Sequence, residues 1–476
     1  MNFILFNPEE LRAESVGCYG HPLAPTPNMD RLAAEGIRFE QCHVQHTVCS
    51  PSRCSFMTGC YPHVQGHRTL WHLLRPHEPN LLRDLKQAGV QIRWYGKNDL
   101  LSVASFADSV TSAESRGLRA FGRNPYALDD PRYYTFLYEP CTGPIEEHND
   151  YANVHAAMDF LRSKPQEPFL IYLPLAFPHP PYSAPPKWHN WVDPDDLPPL
   201  RPTDLPNKPD FHAHIRRTRR LTEVDETHFR KIQAVYLGMT GFIDELLGQL
   251  LHTLDETKLA DRTTVFLFAD HGDYAGDYGL VEKWPSGLED VLTRIPFIVR
   301  TPEGASDHVV REPVELFDMM ATLRELADVP ARYTHFARSL LPQLHGECGD
   351  PTRAAFAEGG YSRHEPHCFE GHPERDSLFS RDPRHIYYPK ARLQQDHPES
   401  VCRAVMIRTM THKLIHRPEG LSELYDLRSD PQELRNRYGQ SAVAEVQREL
   451  ERCLLDWYVE TSDVTPFDED PRGLPA

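Results

Sequence analysis

The chain has 476 residues, of which 40% are hydrophobic and 25% are charged, and its formal net charge is −18. This length allows two domains, or one large α/β domain with a smaller partner. The acidic charge argues against a nucleic-acid partner, which would need a basic surface. The sequence contains no run of about 18 apolar residues, so we expect no membrane span.

The first predicted element is a buried strand over residues 3–6. This apolar start is too short for the hydrophobic region of a signal peptide and has no basic residues before it. We therefore expect a cytoplasmic protein, or a periplasmic or secreted one if a leader has been removed.

Further short runs of strand-forming residues alternate with helical patterns along the chain. Strands are predicted over 169–173, 265–269 and 295–299, and amphipathic helices over 29–35 and 229–256. Runs this apolar suit strands that are buried on both faces. The alternation predicts an α/β fold with a mostly parallel central sheet sandwiched by helices.

Three stretches, 103–150, 183–228 and 360–400, interrupt this alternation with polar, proline-rich or histidine-rich sequence. They are interpreted either as rims of a binding site or as solvated insertions. From residue 401 the pattern changes to a hairpin over 404–415 and a closing helix over 441–458. We therefore predict a catalytic domain over 1–345 and a C-terminal subdomain over 346–476 that completes the rim of the site.

The most informative motif is Cys49-Ser50-Pro51-Ser52-Arg53, followed by Met57-Thr58-Gly59. Ser50 is a suitable N-cap and Pro51 suits the first helical position, which would place Cys49 just before a helix. The helix dipole and Arg53 would then attract an oxyanion and lower the pKa of the thiol. The alternative is a small buried cysteine in a loop.

Acidic residues follow two of the predicted strands. Glu9 and Glu10 follow the first strand, and Asp270 and His271 follow the strand over 265–269. Ligands gather at the carboxyl ends of strands in an open α/β sheet. Carboxylates suit Ca²⁺ or Mg²⁺, and one imidazole shifts the preference toward Mn²⁺. The sequence therefore predicts one divalent cation, which could be Ca²⁺, Mg²⁺ or Mn²⁺, although Glu9-Glu10 alone could be a solvated turn.

The cysteine motif resembles the signature of type I sulfatases, in the alkaline phosphatase superfamily, and the segment 406–433 is similar to their C-terminal subdomain with its antiparallel sheet. This resemblance implies that a formylglycine-generating enzyme converts Cys49 to Cα-formylglycine, whose hydrate is the nucleophile. It also implies a sulfated substrate and a metal bound by Cys49, Glu9, Asp270 and His271. Glu9 and Glu10 replace the usual Asp-Asp pair, which makes Glu10 the less certain ligand.

The resemblance also implies roles for several other residues. Lys97 would contact the nucleophile and the sulfate, Arg53 would fix the nucleophile, and Lys283 would bind the sulfate. His179 would lie near the leaving-group oxygen. Asp99 replaces the family histidine that helps release sulfate, so either Asp99 or His72 would take that role.

Three functions follow from this reading. The first is hydrolysis of a sulfuric ester of a carbohydrate or an aryl alcohol, through a formylglycine nucleophile and a divalent metal. The second is hydrolysis of phosphonate monoesters or phosphodiesters, because those relatives often carry the Asp-His pair found at Asp270-His271. The third is a catalytically decayed protein that binds oxyanions or carbohydrates. The sequence does not determine the oligomeric state.

Overall fold

The computed structural model describes residues 1–117, 121–372 and 381–467. Its larger sheet has eight strands in the order β4-β3-β5-β1-β6-β7-β2-β8. These strands are β1 (Asn2–Asn7), β2 (Ile37–His43), β3 (Gln91–Tyr95), β4 (Ser112–Glu114), β5 (Phe169–Pro174), β6 (Thr263–Phe268), β7 (Arg294–Arg300) and β8 (His308–Glu315).

A second, antiparallel sheet of four strands lies in the C-terminal part, in the order β12-β11-β10-β9. Its strands are β9 (Ala355–Gly359), β10 (Ala404–Arg408), β11 (His412–His416) and β12 (Glu423–Asp426). The predicted α/β fold, with a mostly parallel sheet and a smaller antiparallel sheet, is confirmed. The division at 345/346 stays a prediction.

The helices are α1 (Pro27–Ala34), α2 (Cys49–Thr58), α3 (Pro62–Gln65), α4 (Leu81–Gln87), α5 (Val103–Ser109), α6 (Asn149–Arg162), α7 (Pro186–His189), α8 (Asp210–Thr218), α9 (Glu226–Glu256), α10 (Asp290–Thr293), α11 (Asp318–Leu326), α12 (Leu341–Leu344), α13 (Tyr388–Asp396) and α14 (Ala444–Thr461). The longest, α9, packs on α1, α6 and α7. No helix among the described residues is both long and apolar enough to cross a membrane.

The centre of the large sheet is buried on both faces. Every residue of β1, β5 and β6 is buried, and β1 runs parallel to both neighbours, with Phe3 opposite Leu170 and Thr264. Burial on both faces removes the alternation of polar and apolar residues, which is why these strands read as continuous apolar runs. Strand β7 is antiparallel to β6 and β2, a direction that its apolar sequence does not encode.

The C-terminal sheet contacts loops of the large sheet through β9 and the residue that follows it. The N–H of Glu358 donates to the carbonyl of Gln45 at 3.0 Å, and that of Gly360 donates to the carbonyl of Pro285 at 2.8 Å. On the other side of the sheet, Phe356 stacks on Trp457 of α14 with ring centroids 4.9 Å apart. Strand β9 therefore joins the second sheet to two loops of the large sheet's functional edge.

Candidate active site

The predicted functional residues follow the carboxyl ends of four adjacent strands. Going along the sheet, Lys97 follows β3, His179 follows β5, Glu9 and Glu10 follow β1, and Asp270 and His271 follow β6. Parallel strands end at one edge of a sheet, so the topology alone brings these side chains together. Cys49 comes from α2, the first helix after β2.

Cys49 is the first residue of α2, and Val48 is its N-cap, without a side-chain cap. The prediction that Ser50 caps the helix and Pro51 opens it was therefore wrong by two residues. The cysteine is 3% exposed, and its Sγ lies 3.3 Å from Nε2 of His271. Burial raises the pKa of the Cys49 thiol well above its usual value, although Lys283 opposes this. The expected lowering of this pKa was also wrong, because desolvation outweighs the positive charge of Lys283.

The ring nitrogen of His271 that faces Cys49, Nε2, carries no proton. Its Nδ1 donates to the carbonyl of Gly272 at 2.9 Å, which leaves the lone pair of Nε2 directed at Sγ. Burial lowers the pKa of His271 to about 3, with Asp270 opposing and Lys283 adding to the effect. The imidazole is therefore neutral at physiological pH, the form that binds metals.

Glu9 and Glu10 are fully buried and each forms an ion pair with a lysine. Lys97 contacts Oε1 of Glu9, and Lys283 contacts Oε1 of Glu10. The second carboxylate oxygen of both residues has no hydrogen-bond partner among the described residues. Buried polar atoms are rarely left without a partner, so these two oxygens are candidates to bind a cation.

Arg53 holds Asp270 in place. Nε of Arg53 donates to Oδ2 of Asp270 at 3.0 Å, and Nη2 forms an ion pair with the same oxygen at 2.8 Å. Nη1 donates to Oδ1 of Asn7 at 3.1 Å and to the hydroxyl of Tyr172 at 3.0 Å. The N–H groups of Glu10 and His271 donate to Oδ1 of Asp270, both at 3.1 Å. Burial alone would raise the pKa of Asp270, but Arg53 and His271 outweigh burial and hold this pKa far below its usual value.

His179 and Lys283 lie together against Glu10. Nε2 of His179 is 3.1 Å from Nζ of Lys283 and 3.2 Å from Oε1 of Glu10, while its Nδ1 donates to the carbonyl of Pro180 at 2.5 Å. Burial alone would lower the pKa of Lys283, but Glu10, Cys49 and Glu282 outweigh burial and raise it well above its usual value. Lys283 is therefore a permanent cation.

Asp99 and His72 differ in their contacts. Oδ2 of Asp99 lies 2.5 Å from Nζ of Lys97, and its side chain is 32% exposed. Burial would raise the pKa of Asp99, but Lys97 and Arg53 outweigh burial and lower it, so Asp99 is a carboxylate. His72 instead contacts the hydroxyl of Thr69 through Nδ1 at 2.9 Å and lines a cavity of about 450 Å³ with Trp71 and Ser102.

Two groups of side chains around Cys49 could hold a metal ion. One consists of Glu10, Cys49 and His271, and the other of Glu9, Cys49 and His179. Their ligand atoms fit a divalent cation, since they combine carboxylate oxygens, two of them unpartnered, with imidazole nitrogens. Asp270 belongs to neither group, and both of its oxygens already accept hydrogen bonds.

Several residues of the site were missed from the sequence. Asn7 and Tyr172 contact Arg53, and the hydroxyl of Tyr182 donates to the buried Asp273 at 2.7 Å. Asn7 could have been noticed as a polar residue at a strand end. Tyr172 lies in a continuous apolar run, which carries no signal of a polar contact.

A mostly parallel sheet with a buried cysteine, carboxylates and cations at one edge defines a hydrolase site of the alkaline phosphatase type. The sulfatase family model matches residues 1–329, and a model described as "N-sulphoglucosamine sulphohydrolase, C-terminal" matches residues 379–460. The chain therefore belongs to the sulfatase family and is an enzyme of that family.

Relatives and solved structures match nearly the whole chain. The multifunctional alkaline phosphatase superfamily protein PehA of Trinickia caryophylli is 26% identical, over 98% of this chain and 96% of the relative. The N-acetylglucosamine-6-O-sulfatase of Bacteroides thetaiotaomicron is 23% identical, over 98% and 88%. The phosphonate monoester hydrolase structure from Agrobacterium radiobacter superposes with a TM-score of 0.77 at 19% identity, over 97% and 96%, which shows the shared fold.

Proposed function

We propose that the protein hydrolyses the sulfate ester of a carbohydrate, with Cys49 converted to formylglycine and one divalent cation bound beside it. The observation that carries this proposal is the convergence of Arg53, Lys97 and Lys283 around a buried cysteine. In the described structure these cations pair with Asp270, Glu9 and Glu10. A divalent cation bound by the same carboxylates would leave their positive charge to be balanced by an anionic substrate. The relative named as an N-acetylglucosamine-6-O-sulfatase supports a sugar as the alcohol.

The raised pKa of the Cys49 thiol supports a modified residue. A catalytic cysteine needs a thiolate, whereas burial keeps this thiol protonated. The sulfur lies where a formylglycine oxygen would stand. Once formed, the hydrated aldehyde would supply the nucleophilic hydroxyl, and a bound cation would lower the pKa of that hydroxyl and neutralise charge on the sulfate.

Glu9, Glu10 and His271 are the proposed cation ligands, together with the modified Cys49. Asp270 would join them only through a carboxylate lone pair that its hydrogen bonds leave unused. Glu9 and Glu10 each have a buried oxygen without a hydrogen-bond partner in the part of the chain that the structure describes, and His271 is neutral, which suits this role. In the described structure Lys97 and Lys283 occupy the other oxygens of the two glutamates. A cation bound at the two Oε2 atoms would therefore share each carboxylate with a lysine. Ca²⁺ is the preferred ion, with Mg²⁺ and Mn²⁺ as alternatives.

The remaining side chains have distinct proposed roles. Lys97 and Lys283 neutralise the sulfate oxygens as charge develops. His179 protonates the departing alcohol from Nε2, and Glu10 at 3.2 Å stabilises the required imidazolium. Asp99, a carboxylate beside Lys97, accepts the proton that is lost when sulfate is released. Arg53 acts through Asp270 as a positioning residue.

The test compares Cys49→Ala with Cys54→Ala, a second buried cysteine of α2. The protein is co-expressed with a formylglycine-generating enzyme. Intact mass reports whether the CH2–SH group of Cys49 has been oxidised to an aldehyde, with loss of one sulfur and two hydrogens and gain of one oxygen. Cys49→Ala should abolish release of sulfate from N-acetylglucosamine 6-sulfate and 4-nitrophenyl sulfate without lowering the melting temperature. Cys54→Ala should retain both the modification and the turnover. Sulfate release by Cys49→Ala would refute the proposal.

A second candidate is hydrolysis of phosphonate monoesters. It is favoured by the Asp270-His271 pair and by the similarity to the multifunctional protein PehA. The Pro51-Ser52-Arg53 sequence favours sulfate instead. Comparing kcat/KM for 4-nitrophenyl sulfate and for a 4-nitrophenyl phosphonate monoester decides between the two, and a higher value for the phosphonate would replace the first proposal with the second.

A further inference from the structure

Glu282 is a buried carboxylate beside Lys283 to which the proposed function gives no role. The residue is fully buried, and its φ of 65° lies in the left-handed region, which non-glycine residues seldom adopt. Its Oε1 lies 3.8 Å from Nζ of Lys283, which is too far for a hydrogen bond. The two side chains therefore end next to each other without a hydrogen bond between them.

Two other cations occupy the oxygens of Glu282. Nζ of Lys390 donates to Oε1 at 2.6 Å, and Nη2 of Arg219 donates to Oε2 at 2.6 Å. Both cationic side chains are buried, and Nζ of Lys390 also lies 3.4 Å from Oε1 of Glu370. Burial alone would raise the pKa of Glu282, but Lys390, Arg219 and Lys283 outweigh burial and lower it to about 2. Glu282 is therefore a carboxylate that is held from both sides.

The backbone of Glu282 is fixed as well. Its N–H donates to the hydroxyl of Tyr182 at 2.9 Å, and its carbonyl accepts from the N–H of Tyr274 at 3.2 Å. With both carboxylate oxygens also bound, every polar group of the residue has a partner. An unfavourable backbone conformation persists where surrounding contacts determine it in this way. The position from which the chain continues to Lys283 is therefore well defined.

The two cations come from two of the three stretches that interrupt the alternation of strands and helices. Arg219 is the C-cap of α8, within 183–228, and Lys390 lies in α13, within 360–400. Helices α8 and α13 pack on each other. Their apolar side chains share one buried cluster with the loop that carries Lys283, formed by Phe211, Ile215, Leu393, Tyr274, Tyr278, Leu280 and Trp284 among others. Parts of both stretches therefore pack against that loop.

The two cations determine what Glu282 does to Lys283. An ammonium has three donors, and Lys283 already contacts Glu10. A second carboxylate bound to Lys283 would take another donor and compete with an anionic substrate for the positive charge. Because both oxygens of Glu282 are occupied, this carboxylate attracts Lys283 from 3.8 Å without taking a hydrogen bond from it.

We propose that Lys390 and Arg219 are positioning residues that act through Glu282. By binding both of its oxygens, they keep this carboxylate from pairing with Lys283, whose charge then serves the sulfate. This inference rests on the proposed function, which assigns Lys283 to the sulfate, and it extends that function to two long stretches that lie behind the site. Because the effect is on the sulfate and not on the alcohol, it should be equal for all sulfate esters.

The experiment measures Ki for inorganic sulfate as an inhibitor of 4-nitrophenyl sulfate hydrolysis, with full-length, fully modified enzyme in the presence of Ca²⁺. Lys390→Met leaves Oε1 of Glu282 able to pair with Lys283, so Ki should rise about tenfold or more, the loss of one charge-assisted hydrogen bond. The value of kcat/KM should fall by the same factor for 4-nitrophenyl sulfate and N-acetylglucosamine 6-sulfate. Lys390→Arg keeps the cation, and its Ki should stay within about threefold of wild type.

The double variant Glu282→Gln/Lys390→Met separates this role from a merely structural one. A neutral amide does not compete for Lys283 as a carboxylate does, so Ki should return most of the way to the wild-type value. Arg219 keeps the amide oxygen and the carbonyl of Val281, 3.2 Å from its Nη1, as acceptors. If Lys390→Met does not fold, Lys390→Gln, which keeps a donor for Glu282, takes its place in the same comparison.

Lys413→Met is the matched control, because Lys413 is equally buried and binds two carboxylates, Asp290 at 2.8 Å and Glu433 at 2.7 Å. It should lower the melting temperature and leave Ki unchanged. An unchanged Ki in Lys390→Met, or a folded double variant that binds sulfate no more tightly than the single variant, would overturn this inference while sulfatase activity persists. Fully modified wild-type enzyme that cleaves no sulfate ester would instead overturn the proposed function together with the inference.

Discussion

Arg53 and Asp270 form a buried ion pair, and breaking it from one side should be far more damaging than removing both charges. Arg53→Met deletes the two contacts to Asp270 and those to Asn7 and Tyr172. Asp270 would then be a buried carboxylate held only by two backbone N–H groups, those of Glu10 and His271. The variant tests whether the stability of this edge of the sheet depends on charge pairing.

The expected loss is about 3–5 kcal/mol, the usual consequence of leaving one member of a buried pair uncompensated. Arg53→Met/Asp270→Asn should recover about 2 kcal/mol or more, because no unpaired charge remains. In the wild-type protein the pKa of Asp270 is depressed. Without Arg53 burial dominates and raises this pKa, so the single variant should regain stability as the pH falls from 7 to 5 and Asp270 binds a proton.

The free energy of unfolding is measured by urea denaturation, monitored by tryptophan fluorescence, in the presence of a chelator so that no bound cation contributes. Both variants and the wild type are compared at pH 7 and pH 5. The reasoning is refuted if the double variant is no more stable than Arg53→Met. It is also refuted if the gap between wild type and Arg53→Met is as wide at pH 5 as at pH 7.

Three further predictions concern other residues of the fold and site. His179→Ala should reduce kcat/KM for sugar sulfates by about 10²–10⁴-fold but for 4-nitrophenyl sulfate by much less, since a good leaving group needs little protonation; equal losses would mean that His179 only binds the sulfate. Glu9→Gln and Glu10→Gln should each weaken Ca²⁺ binding measured by calorimetry, and unchanged affinity in both would exclude these ligands. Burial raises the pKa of Glu315 from 4.5 to about 7, so stability from this group is present below pH 4.5 and lost as the pH rises to 7. Glu315→Gln should make the free energy of unfolding depend less on pH between 4.5 and 7. An unchanged pH dependence would contradict the raised pKa of Glu315.

The sequence predicted strands best where every residue of the strand is buried. The runs that became β1, β5 and β6 are apolar throughout, and the residues that follow them could be placed at one edge by a general rule of parallel sheets. Strand β2 was missed even though Ile37 and Phe39 are buried and alternate with the more exposed Arg38 and Glu40. That alternation was a usable signal.

Contacts between distant segments were beyond sequence reasoning. The thiol pKa of Cys49 depends on how deeply the rest of the chain buries it, so the helix terminus alone gave the wrong direction. The pairing of Lys97 with Glu9 and of Lys283 with Glu10 likewise depends on the order of strands in the sheet.

The late position of β9 in the chain has a consequence for the timing of biosynthesis. Cys49 is buried in the finished fold, so an enzyme that modifies it must reach it earlier. Residues 355–359, which close one wall of the site, leave the ribosome long after residue 49. At about 5–20 residues per second this interval lasts roughly 15–60 s. If Cys49 is modified as proposed, the order of synthesis limits the time during which the modifying enzyme can reach it. Slower folding of the C-terminal part would lengthen that time.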